Sequence, residues 1–507
     1  MERVILEEPS LRIEDIVAVA NGATVEISQK AIERAIKSRA ILENLEKSET
    51  LIYGVNTGFG ALKSEIIEPK ERIHLQENLI RSHAVGVGEP LGTKEVRASM
   101  LLMAASLLRG HSGVGPEAAQ LICEFLNRSI HPNVPRQGSL GASGDLAPLA
   151  HIALALMGEG TCRSDDGSLL SSHLLMAEHG LAPLALTSKL GLSLINGTHV
   201  HTAIAALLTA SAKTLAKAAD IACAMNIEAT LCSAQPFRDE VHVLRPHPHQ
   251  MRSAKNIKRL IENSELVASH AHCGEVQDAY SIRCAPQVHG AARNSITHLR
   301  EVVEIEISSV TDNPLVIGDE VVSAGHFHGE PVGLALDYFK IGISELASIS
   351  ERRTERSLNK DYNRGLPPFL IEHAGLRSGL MMCQYTSAAL VSENKVLSHP
   401  SCVDTINTGA NQEDHVSMAM NAALHAQKVF ENTYKVIAIE LIVGAQALDC
   451  RAKIQKDKPG LGVQAAWRAV REMVEKVEED RSLSDEIQRF ELERVVEAVE
   501  KEIGDLD

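Results

Sequence analysis

The stretch GSLGASGDLAPLAHIAL, residues 138 to 154, crowds small residues into a loop and then opens a helix, with Ala142, Ser143 and Gly144 at its centre. A helix beginning near Asp145 points its N-terminal dipole at that loop and would stabilise negative charge there. A bare Ala-Ser-Gly triplet has a chance on the order of 0.1 to 0.2 of arising in a chain of this size at average composition, so alone it identifies nothing. A glycine-rich turn capping a core helix would look the same. A second grouping is Tyr280 and Arg283. Three positions apart on a helix, they share a face, pairing a phenol suited to proton transfer with a planar fork suited to a carboxylate. A lone arginine is usually a surface residue, so the spacing matters more than the type. Twenty-two histidines raise the question of a metal, above all in RPHPHQ (His247, His249), SHAHC (His270, His272, Cys273) and HFH (His326, His328). None of these has a ligand spacing such as HExxH, and no metal is expected.

The elements that must position these residues are helices. A proline inside a helix costs about 3 kcal/mol. Proline-free tracts at 184 to 235, 287 to 313, 332 to 366 and 401 to 458 therefore mark where long helices can run. They are rich in Ala, Leu, Ile, Glu and Lys with apolar positions recurring at three and four, as in AIAALLTASAKTLAKAADIACAM. Stretches apolar nearly all round need other helices about them, in the same chain or in neighbouring subunits, which predicts a bundle. Segments 53 to 60, 83 to 92, 131 to 148 and 323 to 331 are rich in Gly, Pro, Ser and Asn and read as loops, where function usually sits. The last forty residues alternate charges at helical spacing and predict a solvated helix pair with no chemistry. The fold expected is mainly α, a long-helix bundle over 201 to 507 with a smaller loop-rich domain over 1 to 200 carrying the Ala-Ser-Gly loop.

Length and composition agree. The 507 residues have room for two or three cores. At 44% hydrophobic and 23% charged, the chain is neither disordered nor a coiled-coil rod. A net charge of −16 opposes binding to nucleic acid or anionic lipid. The opening MERVILEEP is acidic where a secretion signal would be basic, and no apolar run is long enough to cross a membrane. Nine cysteines without a CxxC pair suggest free buried thiols in the cytoplasm.

Further segments lie far apart along the chain: YGVNTGFG with Tyr53, RSHAVGVGEP with His83, LINGTH with Asn196, VQDAYSIRC with Gln277, Tyr280 and Arg283, GHFHGEP with Phe327, and NQEDHVSMA with Glu413 and His415. Together with GASGD they resemble the aromatic amino acid ammonia-lyase family over most of the chain. In that family the Ala-Ser-Gly triplet condenses, without added cofactor, into 4-methylidene-imidazol-5-one. The resemblance implies that Gly144 N attacks the Ala142 carbonyl, for which glycine leaves the approach open, and that Ser143 then loses water. It also implies a non-oxidative elimination of ammonia from an α-amino acid, with Tyr280 as first candidate for the base and Tyr53 as second. Arg283 would hold the carboxylate, with Asn196, Gln277 and Phe327 lining the site. A homotetramer with shared active sites is the assembly implied.

The resemblance narrows the substrate too. Members acting on histidine carry His at position 83 and Glu at position 413, where phenylalanine-specific members have apolar and amide residues. Tyrosine-specific members also use the histidine, so Glu413 discriminates better. The reaction implied is L-histidine to trans-urocanate and ammonia, with another aromatic amino acid ammonia-lyase or a 2,3-aminomutase as alternatives. Two neighbours depart from the usual wording: His326 stands where Asn is common and His199 where Gln is common. A lyase of the fumarase type would share the bundle, but its GSSxMPxK loop is absent. A non-enzymatic helical scaffold would explain the long tracts and leave the loops unexplained.

Overall fold

The computed structural model describes residues 3–7, 11–47, 51–164, 166–271, 274 and 276–507. Twenty α-helices dominate the described residues, and the strands are short, two to four residues each. The four proline-free tracts hold the four longest helices, His199–Ala229, Ala285–Glu306, Glu330–Leu358 and Ala419–Ile454. Pro286 and Pro331 fall in the first turns of two of them, where a missing N–H breaks no helical bond. No helix among the described residues is long and apolar enough to cross a membrane.

The chain divides into two compact units. The first comprises Met1–Ala210, Leu299–Asp337 and Pro400–Leu424; the second comprises Ser211–His298, Tyr338–His399 and His425–Asp507. The first segment of the first unit ends at Ala210, and two later segments return to that unit. That return has no local signal, because it is set by which surfaces meet.

In the first unit, helix Thr93–Leu108 is buried on every side from Val96 to Leu108, and its one charged side chain there, Arg97, donates to the Val19, Leu126 and Ala23 carbonyls. A parallel strand pair, Arg3–Leu6 with Thr24–Ile27, and an antiparallel pair, Val87–Pro90 with Pro135–Gln137, tie down the loops. In the second unit one hydrophobic cluster runs from Leu215 to Leu506. The C-terminal helices belong to it. Helix Leu492–Ile503 buries Leu492, Val495, Val496 and Val499, an i, i+3, i+4, i+7 stripe. These segments are therefore half-buried elements rather than the solvated pair expected; the charges form one face and the apolar stripe seals the other. Eight described cysteines are free. Burial pushes thiols such as Cys223 up to about 12, which leaves them inert.

Candidate active site

The Ala142–Ser143–Gly144 loop is held by its neighbours on both sides. Asp145 N–H donates to Gly197 O at 2.8 Å, and Gly197 N–H donates to Ser143 O at 3.2 Å. From the other direction, Met418 N–H donates to Leu140 O at 2.8 Å and Ser417 Oγ donates to Gly141 O at 3.1 Å. Gly144 has φ +75°, and a Cβ there would collide with the Gly197 carbonyl. Glycine is required twice over, by the left-handed backbone and by the approach of a second strand of chain.

Helix Leu146–Leu156 begins after the loop with Asp145 at its N-cap, but the Asp145 side chain makes no capping bond to that helix. Its Oδ2 accepts from Val200 N at 2.8 Å and His201 N at 2.9 Å, satisfying donors left open at the start of helix His199–Ala229. Its Oδ1 accepts from His201 Nδ1 at 2.9 Å, and both side chains are fully buried. Burial alone would lower the His201 pKa; the Asp145 charge and hydrogen bond outweigh it and hold the ring above the ordinary histidine range. His199, also buried, has no hydrogen-bond partner for either ring nitrogen among the described residues, and burial lowers it to about 4. Nothing in the motif reading singled out Asp145 or His201 as a pair. The available signal was an aspartate in an otherwise small and apolar stretch, since a buried carboxylate needs a partner.

Ala142 and Ser143 open onto a cavity of about 620 Å³ within the first unit. It gathers Tyr53, His83, Asn196, Phe327 and Glu413 from five separate segments. His83 ends helix Arg72–His83 and donates from Nδ1 to Leu79 O at 2.8 Å, a bond that satisfies a terminal carbonyl. Nε2 is thereby the ring nitrogen left for a ligand. Asn196 donates from Nδ2 to Asn313 O at 3.1 Å and Asp312 Oδ1 at 3.3 Å; Asp312 in turn pairs with the fully buried Lys189 at 2.7 Å. Glu413 accepts from Thr408 Oγ1 at 2.8 Å on one oxygen and from Ser143 Oγ at 3.4 Å on the other.

Tyr53 packs edge-on against Phe59, with centroids 6.3 Å apart, and its oxygen accepts from Gly60 N–H at 3.0 Å. Burial raises its pKa, and the Glu413 charge adds to the effect. Tyr280, Arg283 and Gln277 belong to the second unit and are not among the cavity's lining residues. Tyr280 is 72% exposed, with the Arg283 guanidinium 4.6 Å above its ring, so the two share a face as their spacing predicts. His326 is exposed and His199 is buried; neither lines the cavity. His249 is engaged by Arg252 and Thr297, whereas His272 and Cys273 lie outside the described residues.

A mainly helical fold in which Ala142 and Ser143 line a cavity shared with Tyr53, His83 and Glu413 points to the class. The family model for aromatic amino acid lyases matches residues 11–472, and the chain belongs to that family. It is an enzyme family of carbon–nitrogen lyases. Among curated relatives, the histidine ammonia-lyase of Gloeobacter violaceus is 51% identical over 511 residues, covering 99% of both chains. That of Natranaerobius thermophilus is 45% identical, covering 98% of both. Among solved structures, the histidine ammonia-lyase of Trypanosoma cruzi superposes with a TM-score of 0.89 at 39% identity, over 99% of this chain and 95% of that one. The tyrosine aminomutase of Streptomyces globisporus superposes with a TM-score of 0.93 at 34% identity, covering 100% of both.

Proposed function

We propose that this chain is a cytoplasmic histidine ammonia-lyase that eliminates ammonia from L-histidine to give trans-urocanate. The observation that carries the reading is a single cavity containing Ser143, His83 and Glu413, with the Glu413 carboxylate 3.4 Å from Ser143 Oγ. The loop suits 4-methylidene-imidazol-5-one: Gly144 lacks the Cβ that would block closure, and neighbours on both sides hold the turn. That group would supply an electrophilic carbon, the chemistry that activates an amine as a leaving group, and residues 142–144 would hold it.

The chain's own residues do the rest. Glu413, steadied by Thr408, accepts from one imidazole N–H, and Nε2 of His83 meets the other ring nitrogen. A carboxylate beside the ring favours imidazolium, which acidifies the adjacent β-carbon. The elimination breaks the Cα–N and Cβ–H bonds, forms the Cα–Cβ double bond and passes the β-proton to a base. Tyr280 is the first candidate to take that proton and Tyr53 the second. Tyr280, Gln277 and Arg283 reach the cavity from another copy of the chain in a homotetramer, where Arg283 grips the carboxylate. The exposure of Gln277 and Tyr280, with Arg283 half-buried beside them, supports this arrangement. Asn196 and Phe327 bound the amino acid on the remaining sides.

The second reading, an aminomutase, is favoured by the likeness to the tyrosine aminomutase and by the histidine at position 83; Glu413 weighs against it. One experiment separates them. Incubation with histidine, tyrosine and phenylalanine in turn is expected to give a conjugated acrylate from histidine alone. A β-amino acid product, or reaction with tyrosine in preference to histidine, would overturn the assignment. Intact mass tests the ring: the chain should weigh two waters less than its sequence, with the loss within residues 142–144.

A further inference from the structure

Ser139 stands between strand Pro135–Gln137 and helix Leu146–Leu156, and its side chain is buried. The strand is paired through Gln137 to Val87, so the residue sits on a fixed base. Its hydroxyl touches both ends of the turn that carries Ala142 and Ser143. Gly141 N–H donates to Ser139 Oγ at 3.1 Å, and Ser139 Oγ donates to Gly144 O at 3.2 Å. Gly141 and Gly144 face one another as an antiparallel bridge, and both have left-handed backbones, φ +69° and +75°. Ser417 grips one end only, through Gly141 O. A hydroxyl has a single hydrogen to give, and Asp145 Oδ1 at 3.4 Å competes for it. His201 Nδ1 already donates to that oxygen at 2.9 Å, which leaves the Ser139 hydrogen to Gly144 O.

We propose that Ser139 is a positioning residue for closure of the 142–144 ring: its hydroxyl staples Gly141 to Gly144 and holds the triplet folded on itself. The inference rests on the ring assigned above and concerns how fast it forms. Closure begins as Gly144 N bonds to the Ala142 carbonyl carbon; the carbonyl π pair moves to the oxygen, which takes the amide proton. That hydroxyl departs as water with the Ser143 N–H hydrogen, leaving a C=N bond. The Ser143 hydroxyl then departs as a second water with the Cα hydrogen, leaving a Cα=Cβ bond. Two waters leave, and nothing is oxidised or reduced overall. The first step brings together groups two residues apart, and holding such groups in register raises the rate of their reaction. The staple spans them, because Gly141 N lies before the Ala142 carbonyl and Gly144 O lies after the attacking nitrogen. Ser139 bonds to neither reacting atom and acts through the backbone it holds. Loss of its two neutral hydrogen bonds should slow closure by about ten- to a hundredfold.

The test follows closure by intact mass on full-length chains made by cell-free synthesis and sampled over time, with fragment masses placing the loss within residues 142–144. Wild type is expected to reach the mass two waters below its sequence first. Ser139→Ala should lag by about ten- to a hundredfold, with its circular dichroism unchanged. Ser139→Cys, which puts a weak thiol donor in nearly the same volume, should lag as well. Ser139→Thr, which keeps the hydroxyl, should close faster than either. Should the alanine variant fail to fold, the near-isosteric cysteine decides. Closure at the wild-type rate in a folded alanine or cysteine variant would overturn the proposal and leave the ring standing. A lowered melting midpoint with a normal closure rate would make Ser139 a packing residue and overturn it equally. A wild-type chain that keeps its full mass would refute the ring and the proposal together.

Discussion

Replacing His201 with alanine tests the frame behind the electrophile loop. In the folded chain the Asp145 carboxylate is fully buried and accepts two backbone N–H groups on one oxygen and His201 Nδ1 on the other. Without His201, Oδ1 keeps only the Ser139 hydroxyl, at 3.4 Å, among the described residues. Breaking a buried charge pair costs about 3–5 kcal/mol when the remaining ion is left bare; the two backbone donors survive here, so about 2–3 kcal/mol is expected. The pH dependence has a definite sign. Because the His201 pKa is raised on folding, its contribution is fully present below the unfolded value of about 6.5 and is lost as pH rises through the folded value. The gap between wild type and variant should therefore be widest in mild acid and narrow toward alkaline pH. Urea denaturation followed by circular dichroism across a pH series measures it. His201→Gln, which restores a neutral donor, should recover part of the loss. A gap below about 0.5 kcal/mol, or one that does not change with pH, would refute the ion-pair account.

The other predictions concern the reaction. Ser143→Ala should lower turnover by about a thousandfold or more while the circular dichroism spectrum is retained, and full activity in that variant would remove Ser143 from the chemistry. Gly144→Ala puts a side chain against the Gly197 carbonyl and adds about 1–2 kcal/mol of left-handed backbone cost, so intact mass should show the unclosed peptide. Glu413→Gln removes a charged acceptor worth about 1.5–3 kcal/mol, a drop of roughly ten- to a hundredfold in kcat/KM for histidine, and an indifferent enzyme would rule out the ring-binding role. Mixing the inactive Ser143→Ala and Tyr280→Phe chains, then refolding them together, should restore partial activity if sites are shared between copies. No recovery would confine each site to one chain.

Much of this molecule can be read along the chain. Proline spacing marks the four longest helices because a helix interior tolerates no proline, whatever surrounds it. The triplet, Tyr53, His83, Asn196, Phe327 and Glu413 stand out because the short stretches that hold them resemble motifs of the aromatic amino acid ammonia-lyases, and the structure lines one cavity with them. The Tyr280–Arg283 pair follows from helical periodicity, a property of a few consecutive residues.

What folding alone decided depends on meetings between distant segments. The Asp145–His201 pair joins residues 56 positions apart, and neither residue announces the other. That the Tyr53 pKa is raised depends on its burial and on the Glu413 charge, which no local pattern shows. The apolar stripe of helix Leu492–Ile503 is visible in sequence, yet its burial required a partner surface that charge alternation concealed. Local spacing determines what a segment is able to become, because helix propensity and turn chemistry act over a few residues. Ionisation, burial and the convergence of side chains on one cavity belong to the tertiary structure, because desolvation and Coulomb energy depend on distances in space.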